Sequence, residues 1–214
     1  MLQKKVLVVF ISCIVGVSFM SATNLQTVQR GIQRCSEILS QFSGIETDRL
    51  VIRKLEVADI DDVFVFTSDS HVTELTTIFE IAKTKDDVKK YIENIVDNYT
   101  KGIPDYWAIV YKENSKVVGI ICIDISSRYR GDIAYAIARD YWSKGIATEA
   151  AGAVIDFGFK VLGLKRIDAT CDPRNIASVR VLKKCGMRYE GLLKSYSFMH
   201  GSFCDRELYA IISE

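Results

Sequence analysis

The chain has little of what marks several functional classes. It lacks a Cys-x-x-Cys pair: six cysteines (Cys13, Cys35, Cys122, Cys171, Cys185, Cys204) are scattered along 214 residues, and only His71 and His200 are available beside them as nitrogen ligands. Neither a zinc site nor a disulfide framework is expected from that spacing, so no metal is assigned. Charge of one sign is also missing. The 28 Lys and Arg against 27 Asp and Glu leave a net charge of +1, and no run of basic residues exceeds two, so nothing recruits nucleic acid globally or locally. Pro104 and Pro173 are the only prolines, which leaves no proline-rich linker to divide the chain. Internal repeats and low-complexity tracts are absent, as are the GxxxxGK[ST] and GxGxxG phosphate motifs.

What remains is ordinary globular composition, 49% hydrophobic and 26% charged, sufficient for one domain. The N-terminus stands apart from it. After Lys4 and Lys5, residues 6–22 carry no charge, a length that suits a signal-peptide core and falls slightly short of the ~20 residues that span a bilayer. A cleaved leader, a short anchor that would bring membrane contact, and translation starting at Met20 are all open. Residues 1–22 are therefore set apart as a hydrophobic N-terminal segment. Residues 23–44 read as an amphipathic approach segment, with Leu25, Val28, Ile32, Cys35, Ile38 and Leu39 at helical spacing before Gly44. One domain is expected over residues 45–214.

Within that domain, β-branched and aromatic runs predict about seven strands, at Arg49–Leu55, Tyr106–Tyr111, Lys116–Asp124, Gly131–Ile137, Arg166–Thr170, Gly191–Met199 and Asp205–Ile212. Helices are expected at Ala58–Thr67, Thr84–Tyr99, Ile146–Leu162 and Ile176–Cys185. Short turns join three successive strands as an antiparallel meander. The order strand 131–137, helix 146–162, strand 166–170 makes one right-handed βαβ crossover. The expected architecture is α/β, with a mixed, mostly antiparallel sheet and flanking helices.

The most informative segment sits in that crossover: Tyr141-Trp142-Ser143-Lys144-Gly145-Ile146-Ala147-Thr148-Glu149-Ala150. Small residues at Gly145 and Ala147 let a ligand approach the backbone, and the N–H groups and dipole of a helix start favour a pyrophosphate. Gly and Ala alone would equally make a tight turn; the position between strand and helix is what points to phosphate. About thirty residues on, strand 166–170 leads into Asp172-Pro173-Arg174-Asn175-Ile176-Ala177-Ser178. Asn175 reads first as a helix cap, Gly186 as a helix C-terminal glycine, and Ser178 presents a hydroxyl at the same end of the sheet. His71, in Ser68-Asp69-Ser70-His71, reads as an exposed loop residue, and His200 as part of a hairpin turn.

Together these pieces resemble the GCN5-related N-acetyltransferase (GNAT) family, in the branch typified by the ribosomal-protein N-terminal acetyltransferases RimJ and RimL. The resemblance covers residues 46–213 and rests on Thr47-Asp48-Arg49-Leu50-Val51-Ile52-Arg53, Ala134-Tyr135, the YWSKGIATEA loop, the Asn175/Ser178 helix start, Lys184-Cys185-Gly186 and Glu190-Gly191. It implies a GNAT fold and acetyl-CoA as cosubstrate, held by Ala136, Ile137, Ala138, Trp142, Ser143, Lys144, Gly145, Ile146, Ala147, Thr148, Asn175 and Ser178. The chain departs from the branch at Ala134 and Ser143, where glycine is usual, and at Met187, where Phe is usual. Leu182 occupies the position of the tyrosine that protonates the leaving thiolate in many members, and Thr170 that of a glutamate base.

The implied reaction is attack of a neutral amine on a thioester, with an oxyanion developing and a thiolate leaving. Ser178 is the remaining hydroxyl for the leaving sulfur, while Asp132 and Glu149 are candidates for moving the amine's proton. The acceptor is open between a protein N-terminal amine and a small amine such as a polyamine or aminoglycoside. A catalytically silent acetyl-CoA-binding module is the alternative that Leu182 and Thr170 suggest, and a secreted interaction protein the more remote one. A monomer or homodimer in the cytoplasm or on the cytosolic membrane face is expected, with export as the alternative that residues 6–22 raise.

Overall fold

The computed structural model describes residues 22–101, 103 and 105–214. The hydrophobic segment 1–22, expected as leader or anchor, lies outside the described residues except for its last position. In chain order the elements are α1 (Ala22–Ser40), β1 (Ile45–Glu46), β2 (Leu50–Lys54), a 3-10 turn (Val57–Asp59), α2 (Ile60–Thr67), α3 (Ser70–Thr73) and α4 (Lys85–Thr100). There follow β3 (Trp107–Tyr111), β4 (Lys116–Ser127), β5 (Arg130–Ile137), a 3-10 turn (Arg139–Tyr141), α5 (Ile146–Lys160), β6 (Arg166–Cys171), α6 (Ile176–Lys184), β7 (Arg188–Met199) and β8 (Ser202–Ile212).

One mixed sheet results, in the order β1-β2-β3-β4-β5-β6-β8-β7. It has eight strands where about seven were expected. The additional one is β1, whose two residues pair with Ile52 and Val51 and are too few to show an alternation. Every pairing is antiparallel except β5 with β6, the two strands that the α5 crossover joins.

Side-chain alternation divides the core between the two faces of the sheet. Leu50, Ile52, Trp107, Ile121, Ile133, Ile137 and Ile167 bury against α1, α5 and α6, whereas Ala108, Ile120 and Ala136 meet Val63, Phe66, Val88 and Ile92 of α2 and α4. Gly119 permits the tight β4/β5 contact, since a Cβ there would lie 2.3 Å from the Ala136 carbonyl oxygen. The approach segment is part of this core. Cys35, Leu39 and Phe42 are buried, and the Phe42 ring stacks on Trp107 at 4.0 Å and meets Phe157 edge-on at 5.5 Å.

Capping sets the helix starts. Thr84 and Asp87 form a reciprocal box at the head of α4, and Asn175 accepts the Ser178 N–H at the head of α6. α3 lies in the stretch expected to be loop, and its cap is Asp69, which accepts the His71 N–H at 2.9 Å. Among the described residues no helix is long and apolar enough to cross a membrane.

Candidate active site where β5 and β6 part

The parallel strands β5 and β6 pair over three positions only, Arg130↔Arg166, Gly131↔Ile167 and Asp132↔Asp168, and then separate. At the last paired position Asp168 is fully buried and receives Arg166 at 2.7 Å and Arg130. Beyond it, the backbone groups that β5 and β6 turn toward one another have no ladder partner among the described residues. The Ala138 N–H is donated to the Val118 carbonyl on β4 at 2.8 Å. By the antiparallel alternation, Ile137 therefore aims its N–H into the gap. Of the three residues Ala136, Ile137 and Ala138, it is the central one that offers a donor there.

The loop after β5 is anchored to the same place. The Trp142 indole N–H donates to the Ile137 carbonyl at 2.8 Å. Ser143 (φ 61°) and Gly145 (φ 79°) both take left-handed backbone, and Gly145 is the N-cap of α5 with no side-chain cap. The consequence is a run of six amides, Ser143, Lys144, Gly145, Ile146, Ala147 and Thr148, none of which donates to an acceptor among the described residues. Uncapped N–H groups at the positive end of a helix dipole are a ready anion site. A Cβ on Gly145 would stand 3.3 Å from the Arg49 guanidinium, so the loop's shape depends on the missing side chain. These features fit the pyrophosphate of acetyl-CoA.

Glu149 sits one turn into α5, and its carboxylate is occupied. It accepts the Thr47 hydroxyl at 2.5 Å, the Arg49 N–H at 3.0 Å and the Arg49 Nε at 2.7 Å, while Arg49 also donates to the Lys144 carbonyl at 2.9 Å. Burial alone would raise its pKa, but those hydrogen bonds and the arginine hold it below the usual value. Glu149 thus fastens the loop to the start of β2, in a state unsuited to taking a proton at neutral pH. Asp132 lies at the closed end of the gap, five residues from Ile137 and so roughly 17 Å along the strand. The two acids proposed from sequence do not converge on the Ile137 N–H.

Ser178 and a residue that sequence reasoning missed do converge. The Ser178 N–H donates to the Asn175 carboxamide oxygen at 3.0 Å, which fixes the turn. Its Oγ lies 3.0 Å from the Tyr135 Oη, on the strand two residues before Ile137. Burial raises the Tyr135 pKa, with Ser178 opposing weakly, so the phenol stays protonated. The alternation Ile133, Tyr135, Ile137 was the signal available, since it puts the tyrosine on the α6 face. Leu182 is 1% exposed within the core and has no proton to give. Burial also pushes Cys171 up to about 11 and Cys122 up to about 12, which removes both as thiolate nucleophiles. Among the described residues no group of three His, Cys, Asp or Glu converges as a metal site would require.

His71 borders the site from the other face. Its Nδ1 is 3.2 Å from Asp69 Oδ1 and 3.4 Å from an Arg139 Nη, which brings α3 to the end of β5.

Residues 49–188 match the family model for the acetyltransferase (GNAT) domain. The chain is 37% identical over 175 residues to YnaD of Bacillus subtilis (strain 168), an uncharacterized N-acetyltransferase, covering 79% of this chain and 97% of that one. Among solved structures, a GNAT-family acetyltransferase from Bacillus anthracis superposes with a TM-score of 0.69 at 32% identity, over 79% of this chain and 98% of that chain. RimJ of Mycobacterium smegmatis, in complex with CoA-disulfide, shares the fold with a TM-score of 0.65 at 24% identity, over 77% and 82%. The separated strands, the amide-lined loop and these likenesses agree: the chain belongs to the GNAT family of N-acetyltransferases and is an acyltransferase.

Proposed function

We propose that the enzyme acetylates a primary amine, a protein N-terminal α-amine as in the RimJ/RimL branch. The observation that carries the reading is the run of unpaired amides from Ser143 to Thr148 at the mouth of the β5/β6 gap. Acetyl-CoA supplies the acetyl group as a thioester. The loop amides hold its pyrophosphate, Trp142 fixes the strand end, and the Ile137 N–H faces the charge that develops on the acyl oxygen. Ser178 Oγ donates its proton at the leaving sulfur, the Tyr135 hydroxyl, 3.0 Å away, replaces it, and the proton given up by the attacking amine returns to Tyr135 through water, so that amide and free thiol form with both hydroxyls restored. That pair favours an enzyme over a silent binding module, because it supplies the hydroxyl function absent at Leu182.

The test is titration calorimetry of the full chain with acetyl-CoA, followed by free-thiol release with an N-terminal peptide, spermidine or an aminoglycoside as acceptor. Binding and thiol release with the peptide are expected. Binding without release on any acceptor would leave the silent module, transfer to a small amine alone would replace the protein acceptor, and absence of binding would overturn the reading. The cytoplasm is the compartment this proposal calls for, since Cys35, Cys122, Cys171, Cys185 and Cys204 are free thiols that suit a reducing environment. Cell fractionation with intact-mass measurement checks it, and a mature chain starting near Thr23 outside the cytosol would refute it.

A further inference from the structure

Arg206, on β8, is 3% exposed, and among the described residues its guanidinium makes neither an ion pair nor a hydrogen bond. The guanidinium carries a positive charge, and a buried cation without a hydrogen-bonded counter-ion is costly. The nearby acids are spoken for. Asp172 acts on Arg206 electrostatically, but its Oδ1 accepts the Arg174 N–H and Nε, each at 2.9 Å, and its Oδ2 accepts Arg174 Nη2 at 2.8 Å. Glu207, the next residue, belongs to the opposite face by strand alternation and accepts the Tyr209 hydroxyl at 2.9 Å.

The position of this charge is informative. β8 meets the end of β6 through Glu207↔Cys171, so Arg206 stands level with the part of β6 that has left β5. The registers Asp132↔Asp168 and Asp168↔Ala210 put Arg206 on the same face as Ala134 and Ala136. α3 lies toward the same end of the sheet: His71 is 3.4 Å from Arg139, and Glu74, just past α3, acts electrostatically on Arg174. Arg206 is thus one strand spacing, about 4.8 Å, beyond the β6 wall of the gap. That is one or two residue lengths, at ~3.3–3.6 Å each, from an amine held there.

We infer that Arg206 is the anion-binding group of the acceptor site and takes a carboxylate carried by the amine substrate close to its reacting nitrogen. This rests on the acetyltransferase reading and narrows it to acceptors such as a peptide whose first or second residue is acidic, or a free amino acid.

Two arms test it. In the first, thermal unfolding of the full chain is followed with glutarate or with glutaramide at matched ionic strength. Glutarate should raise the midpoint of the wild type and not of Arg206→Gln, with Arg206→Lys keeping part of the response. In the second, kcat/KM is compared for two peptides, Ala-Glu and Ala-Gln at the N-terminus, and for free glutamate against glutamine. The wild type should prefer the acidic member by about tenfold or more, and Arg206→Gln should bring the ratio to about one. The pair that shows the preference distinguishes peptide from amino acid. Equal glutarate responses in wild type and Arg206→Gln, or no preference by the wild type, would overturn the assignment. Acetyl-CoA binding with no acetylation of any acceptor would instead remove the acetyltransferase reading, and the glutarate arm would still decide the role of Arg206. If Arg206→Gln does not fold, Arg206→Lys carries both arms with a reduced preference.

Discussion

Tyr135 and Ser178 are 43 residues apart in the chain, yet their hydroxyl oxygens lie 3.0 Å apart, bridging β5 and α6 beside the gap where the sheet opens. The contact gives the serine a donor behind it, and burial, which disfavours the phenolate, keeps that donor protonated against the opposing effect of the contact itself.

Removing either hydroxyl should therefore slow the chemical step and leave cofactor affinity in place. Ser178→Ala is expected to reduce the single-turnover rate by ~10²-fold, and Tyr135→Phe by less, since Ser178 keeps its own proton. Rapid-quench measurement of acetyl transfer, with calorimetry for acetyl-CoA, checks both. An unchanged rate in Ser178→Ala would demote the serine to a helix-start residue.

Gly145 is held at φ 79° with Arg49 beside it. Gly145→Trp should abolish acetyl-CoA binding, and its left-handed backbone should cost roughly 1–2 kcal/mol of stability besides. Titration calorimetry and chemical denaturation separate the two effects; wild-type affinity in this variant would sink the phosphate-loop assignment.

Leu182 is packed in the core at 1% exposure, so restoring a tyrosine there meets a full site. Leu182→Tyr is expected to destabilise the fold by about 1–3 kcal/mol through overpacking and not to raise the rate. Denaturant titration and turnover on the same preparation give both answers.

Glu149 has a folded-state pKa below its ordinary value of 4.5. Its contribution to stability is thus complete above about pH 4.5 and is lost as pH falls through the depressed folded value. Glu149→Gln should unfold at lower temperature than wild type at pH 7, by roughly 1 kcal/mol, and the difference should shrink toward pH 3. A difference that stays constant between those pH values would mean that the charge on Glu149 does not support the loop.

The aromatic stack of Phe42 on Trp107 ties the approach segment to the sheet. Phe42→Ala should cost about 3–5 kcal/mol. A domain truncated to residue 45 should be destabilised at least as much in a denaturant titration.

How much of this was legible in the sequence depends on the distance over which each feature is built. The loop from Ser143 to Thr148 is local: a left-handed glycine before an apolar-faced helix shows its geometry in a few letters. The strands and helices followed from their periodicity, with errors at short elements such as β1 and α3, where two or four residues cannot show a period. The Arg49–Glu149 clamp spans 100 residues, and no spacing rule connects them. For that reason Glu149 looked free to act as a base. Arg206 reads as an ordinary polar position in an alternating strand; it is buried on a strand set between β6 and β7, a tertiary setting that the sequence did not reveal. Asp132 shares a strand with Ile137, and the strand's extended rise is what keeps this candidate away from the open end of the gap.

The separation of β5 and β6 after three pairs leaves bare strand edges in the middle of the sheet, in addition to those at its rims. A bare edge at a rim is a template for any passing chain. Set between flanking helices, the same edge becomes a width gauge: a slender extended ligand can lie along it and exchange hydrogen bonds, while a whole strand with side chains on both faces is shut out.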